Sequence, residues 1–349
     1  MNYSIRYFLS AFLAVIIISC GGGEKNNEKI NTVLSSEESV AKLESADLKD
    51  QKVSLNYNFS KGDKFSYRLT TTTSSLQQIE ADSSAKSEAE QKVVYKFDFD
   101  VIDIDQDKIA EINTTISSIV LTATIDKQKI EYDSKKENSA EEKQKFIEYE
   151  SIANQPFRIR INPRGEIIEV SRLDKIVEKL NNLSPQKQEL TPDQIIALAK
   201  NFGESAIRPV TQLIFREFGT EPIIKNSTWE KSYPSRIAVF ETTNTAKFLV
   251  EDFVVVNDEP TAKIKAVLST ISKGDREGKE NGMTYKFDEP KVTGGGNIFF
   301  GIDSGRLFRS ETTTKLELNL ELNAPNALQK MEKSKRKEVT INQNLVELI

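Results

Sequence analysis

Between positions 316 and 322 the sequence reads Leu-Glu-Leu-Asn-Leu-Glu-Leu, and no residue breaks the alternation. Two is the period of a β-strand, whose successive side chains leave opposite faces, so this segment presents one apolar and one polar face. A helix would scatter the same leucines around its circumference. The habit recurs. Val93, Tyr95, Phe97, Phe99 and Val101 alternate with Lys96, Asp98 and Asp100 before Ile102 and Ile104 shift the phase, as a bulge would. Ile159 and Ile161 alternate with Arg158 and Arg160, the turn residues Asn162 to Gly165 follow, and Ile168 with Val170 resumes the pattern. Repeated half-buried strands of this kind specify an antiparallel sheet.

Other segments extend the sheet. Val53 to Phe59 alternates, runs into the turn-like Ser60 to Asp63 and then into the β-rich KFSYRLTTTT, which predicts a hairpin. The polar stretch from Ser74 to Gln91 predicts the ragged tip of a longer hairpin, and Asn138 to Ile152 a short helix. From Ser171 the period changes. Ser171 with Asp174 forms an S-x-x-D start, and Leu173, Ile176, Val177 and Leu180 form an apolar stripe. Thr191, Pro192 and Gln194 start a second helix with Ile195, Leu198, Ala199 and Phe202 on one side and Gly203 to end it. A third is expected from Ala206 to Phe218, with Pro209 tolerated near its first turn and Gly219 closing it. After a loop holding Trp229 and Tyr233, strands return, with turns at Asn257 to Pro260 and Asp303 to Gly305, as far as a last alternating segment near the carboxyl end.

The order strands, helices, strands predicts an α+β fold: a long, curved, mostly antiparallel sheet, half-barrel-like, packed on a central group of about three helices. The expected organisation is a signal peptide over 1–19, a tether over 20–52 and a single domain over 53–349, β over 53–170, helical over 171–219 and β over 223–349. The segments GDKFSYRLTTTTS and GRLFRSETTTKLE share a turn glycine, an aromatic and a threonine run, a faint internal echo.

The amino terminus carries one charge, Arg6, and an apolar run from Tyr7 to Ile18 broken only by Ser10. That run is too short for the ~30 Å hydrocarbon core as a helix and reads as a secretory signal. Ile17-Ile18-Ser19-Cys20 resembles the lipobox of bacterial lipoproteins, which implies acylation of Cys20, cleavage before it, and a stable membrane anchor from several acyl chains. Gly21 in place of Asp implies, by the same resemblance, outer-membrane sorting. Gly21 to Gln51 is polar and aromatic-free, a tether with a root-mean-square reach of about 30 Å; a short amphipathic helix through Val40, Leu43 and Leu48 is the alternative reading of its end.

Cys20 is the only cysteine and there is no histidine, so intrachain disulfides and Ser-His or Cys-His catalysis are excluded, and zinc, copper and haem lose their usual ligands. No cofactor is expected. The formal charge of −5 does not invite nucleic acid, and the basic run Lys330 to Lys337, interrupted by Glu332 and free of aromatics, reads as a solvated face. Asp103, Asp105 and Asp107 open like a calcium loop, but Lys108 replaces the turn glycine and Thr114 the bidentate Glu, so a tight acidic hairpin turn is expected. Gly294 to Gly296 lacks the Lys-Ser/Thr of a phosphate loop and marks a bulge or a close backbone approach. The S-x-x-K matches Ser39 to Lys42 and Ser83 to Lys86 lack the companion Lys-Thr-Gly and are read as chance.

Beyond the lipobox, NFSKGDKFSYRLTTTT, RIRINPRGEIIEVS and FFGIDSGRLFRSETTTKLELNL resemble a family of uncharacterised Gram-negative lipoproteins of unknown function, over about two thirds of the chain from Val53. The expected sheet-and-helix arrangement is similar to the half-barrels of lipoprotein carriers and mycobacterial lipid-binding lipoproteins. The resulting expectation is a non-enzymatic protein, lipid-anchored in the outer membrane, holding a lipid or other hydrophobic ligand in a cavity between sheet and helices. An envelope protein interaction or assembly module, docking through strand edges or acidic hairpin tips, is the alternative. A carboxylate hydrolase comes third.

Overall fold

The computed structural model describes residues 43–48, 51–81, 84–280, 283–325 and 331–349. The signal, the lipobox with Cys20, most of the tether, the Ser39–Lys42 match and Ser83 lie outside the described residues.

Six strands come first: β1 (Lys64–Glu80), β2 (Ser84–Ile104), β3 (Ala110–Ile125), β4 (Gln128–Asp133), β5 (Pro156–Ile161) and β6 (Ile167–Ser171). Two short helices, α1 (Ala140–Lys145) and α2 (Ile147–Ile152), stand between β4 and β5. The helical region holds α3 (Asp174–Leu183), α4 (Pro192–Phe202), a π-helical turn (Gly203–Ile207) and α5 (Arg208–Gln212). Then follow β7 (Thr228–Ile237), β8 (Phe240–Val256), β9 (Glu259–Lys273), β10 (Glu277–Glu280), β11 (Met283–Phe287), β12 (Lys291–Gly301), β13 (Arg306–Pro325) and β14 (Met331–Leu348).

All pair antiparallel in one unclosed sheet, in the order β6-β5-β3-β2-β1-β14-β13-β12-β9-β8-β7, with β4 beside β3 and the β10–β11 hairpin attached to β13. The last strand, β14, lies between β1 and β13 and joins the two halves. The phase shift at Ile102 is an irregularity between Val101 and Asp103 in the β2–β3 register. Gly296 marks a close backbone approach, because a Cβ there would strike the carbonyl of Glu311 on β13.

Several expectations change. Val53 to Phe59 forms no hairpin strand; it crosses the sheet as an extended segment, with Tyr57 N–H donating to Pro163 O and Asn58 N–H to Gly305 O. Its alternation reports that Leu55 and Tyr57 are buried, not that a partner strand lies alongside. The polar stretch 74–91 is regular paired strand up to Glu80 opposite Ser84. Asn138 to Ile152 folds as two helices, the first opened by a Ser139–Glu142 capping box. Ser171 does not cap α3, which starts after Leu173 without a side-chain cap. The Thr191–Gln194 capping box forms as read. Gly203, however, keeps right-handed helical angles and the helix passes through it into the π turn. The third helix stops at Gln212, and Trp229 and Tyr233 belong to β7 rather than to a loop.

The helices are few and do not form a central group. The α2 helix packs on α3, α3 on α4, and α4 and α5 reach β6, so they gather toward that end of the sheet. Glu150 on α2 fixes the stack, accepting from Tyr132 Oη at 3.0 Å and pairing with Lys179 of α3 at 3.3 Å. Upstream, Glu44 and Ala46 already hydrogen-bond β8 in extended form, with Ala46 N–H to Phe253 O at 2.9 Å, so the short helix through Leu43 and Leu48 is absent there.

Candidate functional site

The segment Leu213 to Phe218 is buried on every side except at Glu217. Phe215 lies 5.2 Å from Phe99 on β2 and 6.3 Å from Tyr67 on β1, whereas Phe218 lies 4.6 Å from Phe300 on β12 and 6.5 Å from Trp229 on β7. The strand order separates β2 from β7 by seven steps, about 33 Å along a flat sheet. One short segment touches both, so the sheet bends around it into a trough. Tyr57 completes this plug, 5.6 Å from Phe215 and 5.1 Å from Phe300.

At the plug the two margins of the sheet converge. Phe218 N–H donates to Arg164 O in the β5–β6 turn, and Lys231 on β7 pairs with Glu217. Gly165 is required in that turn: its φ is +92°, and a Cβ would collide with Arg216 O and the Tyr57 ring. The β6 margin is covered chemically, since Gln212 Oε1 accepts from Ile167 N–H at 3.1 Å and Arg208 donates to Ile167 O and Ile168 O. On β7, Pro234 supplies no N–H.

Away from the plug the same face of the sheet changes character in two steps. Register carries the face across strands: Leu69 opposes Val346, which opposes Ser310, and next come Thr71, Asn344 and Thr312, then Thr73, Asn342 and Thr314. These form a polar belt in which Thr73 Oγ1 donates to Asn342 Oδ1 at 2.8 Å. The threonine runs echoed in the sequence therefore flank β14 and face the same two asparagines. Beyond the belt, β13 presents Leu316, Leu318, Leu320 and Leu322 to this face, all half-buried, beside Val292, Phe287 and Tyr285 on one side and, on the β14 side, opposite Thr340 and the paired Glu338 and Arg336. From Ser310 to Leu322 the strand runs about 40 Å. The outer face of the same strands is a charge ladder, with Glu277 to Lys286 at 2.7 Å and Lys335 to Glu321 at 3.3 Å.

One cation enters the belt from the plug. Arg216 is 9% exposed; its Nε donates to Ser310 Oγ at 3.1 Å, its Nη2 approaches Thr312 Oγ1 at 3.5 Å, and its backbone N–H donates to Tyr57 Oη at 2.8 Å. Burial pushes the Tyr57 phenol well above its ordinary value, so it stays a neutral hydroxyl.

Residues singled out in the sequence do not meet here. Asp103 pairs with Lys61 at 3.2 Å, while Asp105 accepts from Asp107 N–H and Ile109 N–H and pairs with Arg160 at 3.1 Å. This is the tight acidic turn read from the sequence, its carboxylates aimed at separate partners. Lys86 pairs with Glu88 on β2. Lys330 lies outside the described residues; from Met331 the basic run lies along β14, where Lys335 and Arg336 pair with Glu321 and Glu338. Arg216 and the belt were not anticipated; the paired threonine runs were the one sequence signal for them.

Residues 107–305, more than half of the chain, match a family described as a family of unknown function, DUF6263. The chain belongs to that family. No curated protein matches it. Among solved structures, lipovitellin, titled for its lipid–protein interactions, is similar at 11% identity and a TM-score of 0.41, covering 84% of this chain and 25% of that one. This chain thus spans about a quarter of lipovitellin. An outer membrane channel from Pseudomonas putida F1 is similar at 8% identity and a TM-score of 0.19, covering 84% of this chain and 97% of the channel. OccAB4 from Acinetobacter baumannii is similar at 7% identity and a TM-score of 0.20, covering 84% of this chain and 100% of that one.

Proposed function

We propose that this member of the family is a non-enzymatic lipoprotein, anchored in the outer membrane through Cys20, that holds a lipid or another hydrophobic ligand in the half-barrel trough. The carrying observation is the leucine row Leu316, Leu318, Leu320 and Leu322, set on the inner face beyond the plug and left half-buried. Water-exposed leucines at every second position of a strand are costly at about 25 cal/mol per Å² of apolar surface, and a ligand's hydrocarbon would remove that cost. Nearer the plug Tyr67, Leu69, Phe215 and Phe300 are fully buried, so the half-buried row lies where protein atoms fill the trough less completely. Absence of histidine and reservation of the lone cysteine for the anchor support binding over catalysis. Docking through strand edges is less favoured, because Arg208 and Gln212 cover β6 and Pro234 blunts β7.

The test is native mass spectrometry of the full chain carrying Cys20→Ser, purified from the cell envelope without detergent. A co-purifying hydrophobic ligand, lost on Leu320→Asp with the fold intact by circular dichroism, is expected. Protein without ligand in both forms, and no lipid uptake from added vesicles, would overturn the reading.

A further inference from the structure

The charge ladder on the outer face is unmatched toward the far end of the sheet, and a groove lies across that end. We infer that the groove binds a sugar bearing two phosphates, free or as a lipid headgroup, held between Lys279 on β10 and Lys333 on β14. This site is separate from the trough and does not depend on what the trough holds.

Cross-strand register sets two neighbouring rows on that face. In the first, Glu277 on β10 opposes Lys286 on β11, and Glu321 on β13, Lys335 on β14 and Glu80 on β1 follow in turn. Signs alternate along it, with Glu277 and Lys286 paired at 2.7 Å and Glu321 and Lys335 at 3.3 Å. Two residues nearer the hairpin tips, the next row reads Lys279, Thr284, Asn323 and Lys333. It holds two cations and no acid. Among the described residues neither lysine has a carboxylate within ion-pair distance. A groove of about 830 Å³ opens across both rows, walled by Lys279, Lys286, Lys333 and Lys335 and by Glu277 and Glu321. Its two carboxylates are each neutralised by one lysine, so four lysines against two acids leave a local excess of two positive charges. The volume falls within the ~300–1,000 Å³ of small-ligand sites. Lys279 and Lys333 stand at opposite ends of their row, three strand spacings or about 14 Å apart at the backbone, so a single anion engages one end and two anions engage both. Their ammonium groups are point charges on flexible stems, suited to tetrahedral phosphate, whereas a guanidinium fork is the better match for a planar carboxylate. Between them the Thr284 hydroxyl and the Asn323 amide supply donors and acceptors for the hydroxyls of a sugar. The formal charge of −5 disfavours a long polyanion, while a small dianion feels chiefly the local excess, within the ~8–10 Å screening length of ordinary salt.

The experiment titrates the full chain carrying Cys20→Ser with fructose 1,6-bisphosphate, fructose 6-phosphate and fructose at low ionic strength, by calorimetry. The bisphosphate is expected to bind at least about fivefold more tightly than the monophosphate, the size of one exposed charge-assisted contact, and fructose more weakly than either. Lys279→Gln and Lys333→Gln each bring the bisphosphate down to the level of the monophosphate. Lys129→Gln changes nothing, since that lysine pairs with Glu131 on β4, away from the groove. Added salt weakens the bisphosphate more than the monophosphate, because two contacts are screened. Sedimentation with phosphatidylcholine vesicles carrying a diphosphorylated disaccharide lipid separates the sources: vesicle binding that needs Lys279 and Lys333 assigns a lipid headgroup, and binding of the soluble sugar alone assigns a free one. No binding of either bisphosphate overturns the site. So does a bisphosphate preference untouched by Lys279→Gln and Lys333→Gln, or one reduced equally by Lys129→Gln. The trough ligand is read separately by native mass spectrometry and stands or falls without this site.

Discussion

Thr73 and Asn342 stand 269 positions apart in the chain and are joined by a 2.8 Å hydrogen bond across the β1–β14 seam. The first long strand and the last are neighbours, so the two β halves become one sheet only when β14 slots between β1 and β13. Local propensity contributes nothing to that step; it must be driven by what the seam buries.

Val346 is the test of the seam. It is fully buried between Leu69 and Ser310, and Val346→Ala deletes two methyl groups from both halves' contact at once. We expect a loss of about 2 kcal/mol, read by urea denaturation. Both halves should still melt together; two separate transitions would show that each half stands without the seam.

Plug and leucine row should respond differently to truncation. Phe215 touches Tyr57, Phe59, Tyr67 and Phe99, all within 6.3 Å, so Phe215→Ala is expected to cost about 3–5 kcal/mol. Leu320 is half-buried, and Leu320→Ala should cost less than about 1 kcal/mol while weakening ligand uptake. Equal losses in chemical denaturation would mean that the row is core rather than binding surface.

Gly165 ties the β5–β6 turn to the plug. A methyl group at position 165 would meet both Arg216 O and the Tyr57 ring, at a φ of +92° that L residues rarely adopt. Gly165→Ala is expected to destabilise by at least about 2 kcal/mol, read by thermal unfolding.

The strands were legible because their signal is local: a period of two is visible within seven residues, as at Leu316 to Leu322. What the alternation cannot say is whether a partner strand exists, which is why Val53 to Phe59 looked like one, although the Tyr57 N–H is satisfied by a turn carbonyl at Pro163. Gly203 looked like a helix end because such ends favour glycine in left-handed angles. Here the missing Cβ serves packing instead, since one would crowd Leu173. Leu213 to Phe218 carried helix-compatible spacing, but a segment buried on nearly all sides has no stripe to choose between periods. The belt was least legible of all. Thr71 and Thr312 flank Asn344, the first through a pairing across more than half the chain, and Arg216 reads in sequence like any charge on a helix surface.

Glu148 supplies a pH-dependent test of the α2 stack. Burial holds its carboxyl above the ordinary carboxylate range, and its charge helps to raise its neighbour Tyr149, itself pushed up to about 12 chiefly by burial. For an acid raised in the folded state, the native protein binds more protons than the unfolded chain between the ordinary and the raised value. Stability therefore falls as pH rises through that interval and stays lower above it, whereas below the ordinary value both states are protonated and the penalty vanishes. Glu148→Gln removes the charge at nearly constant size. It should unfold at higher urea than the parent at pH 7, with the advantage shrinking toward zero as the pH falls below about 4. A variant weaker than the parent at pH 7 would mean instead that the ionised carboxylate has a stabilising partner in the folded protein.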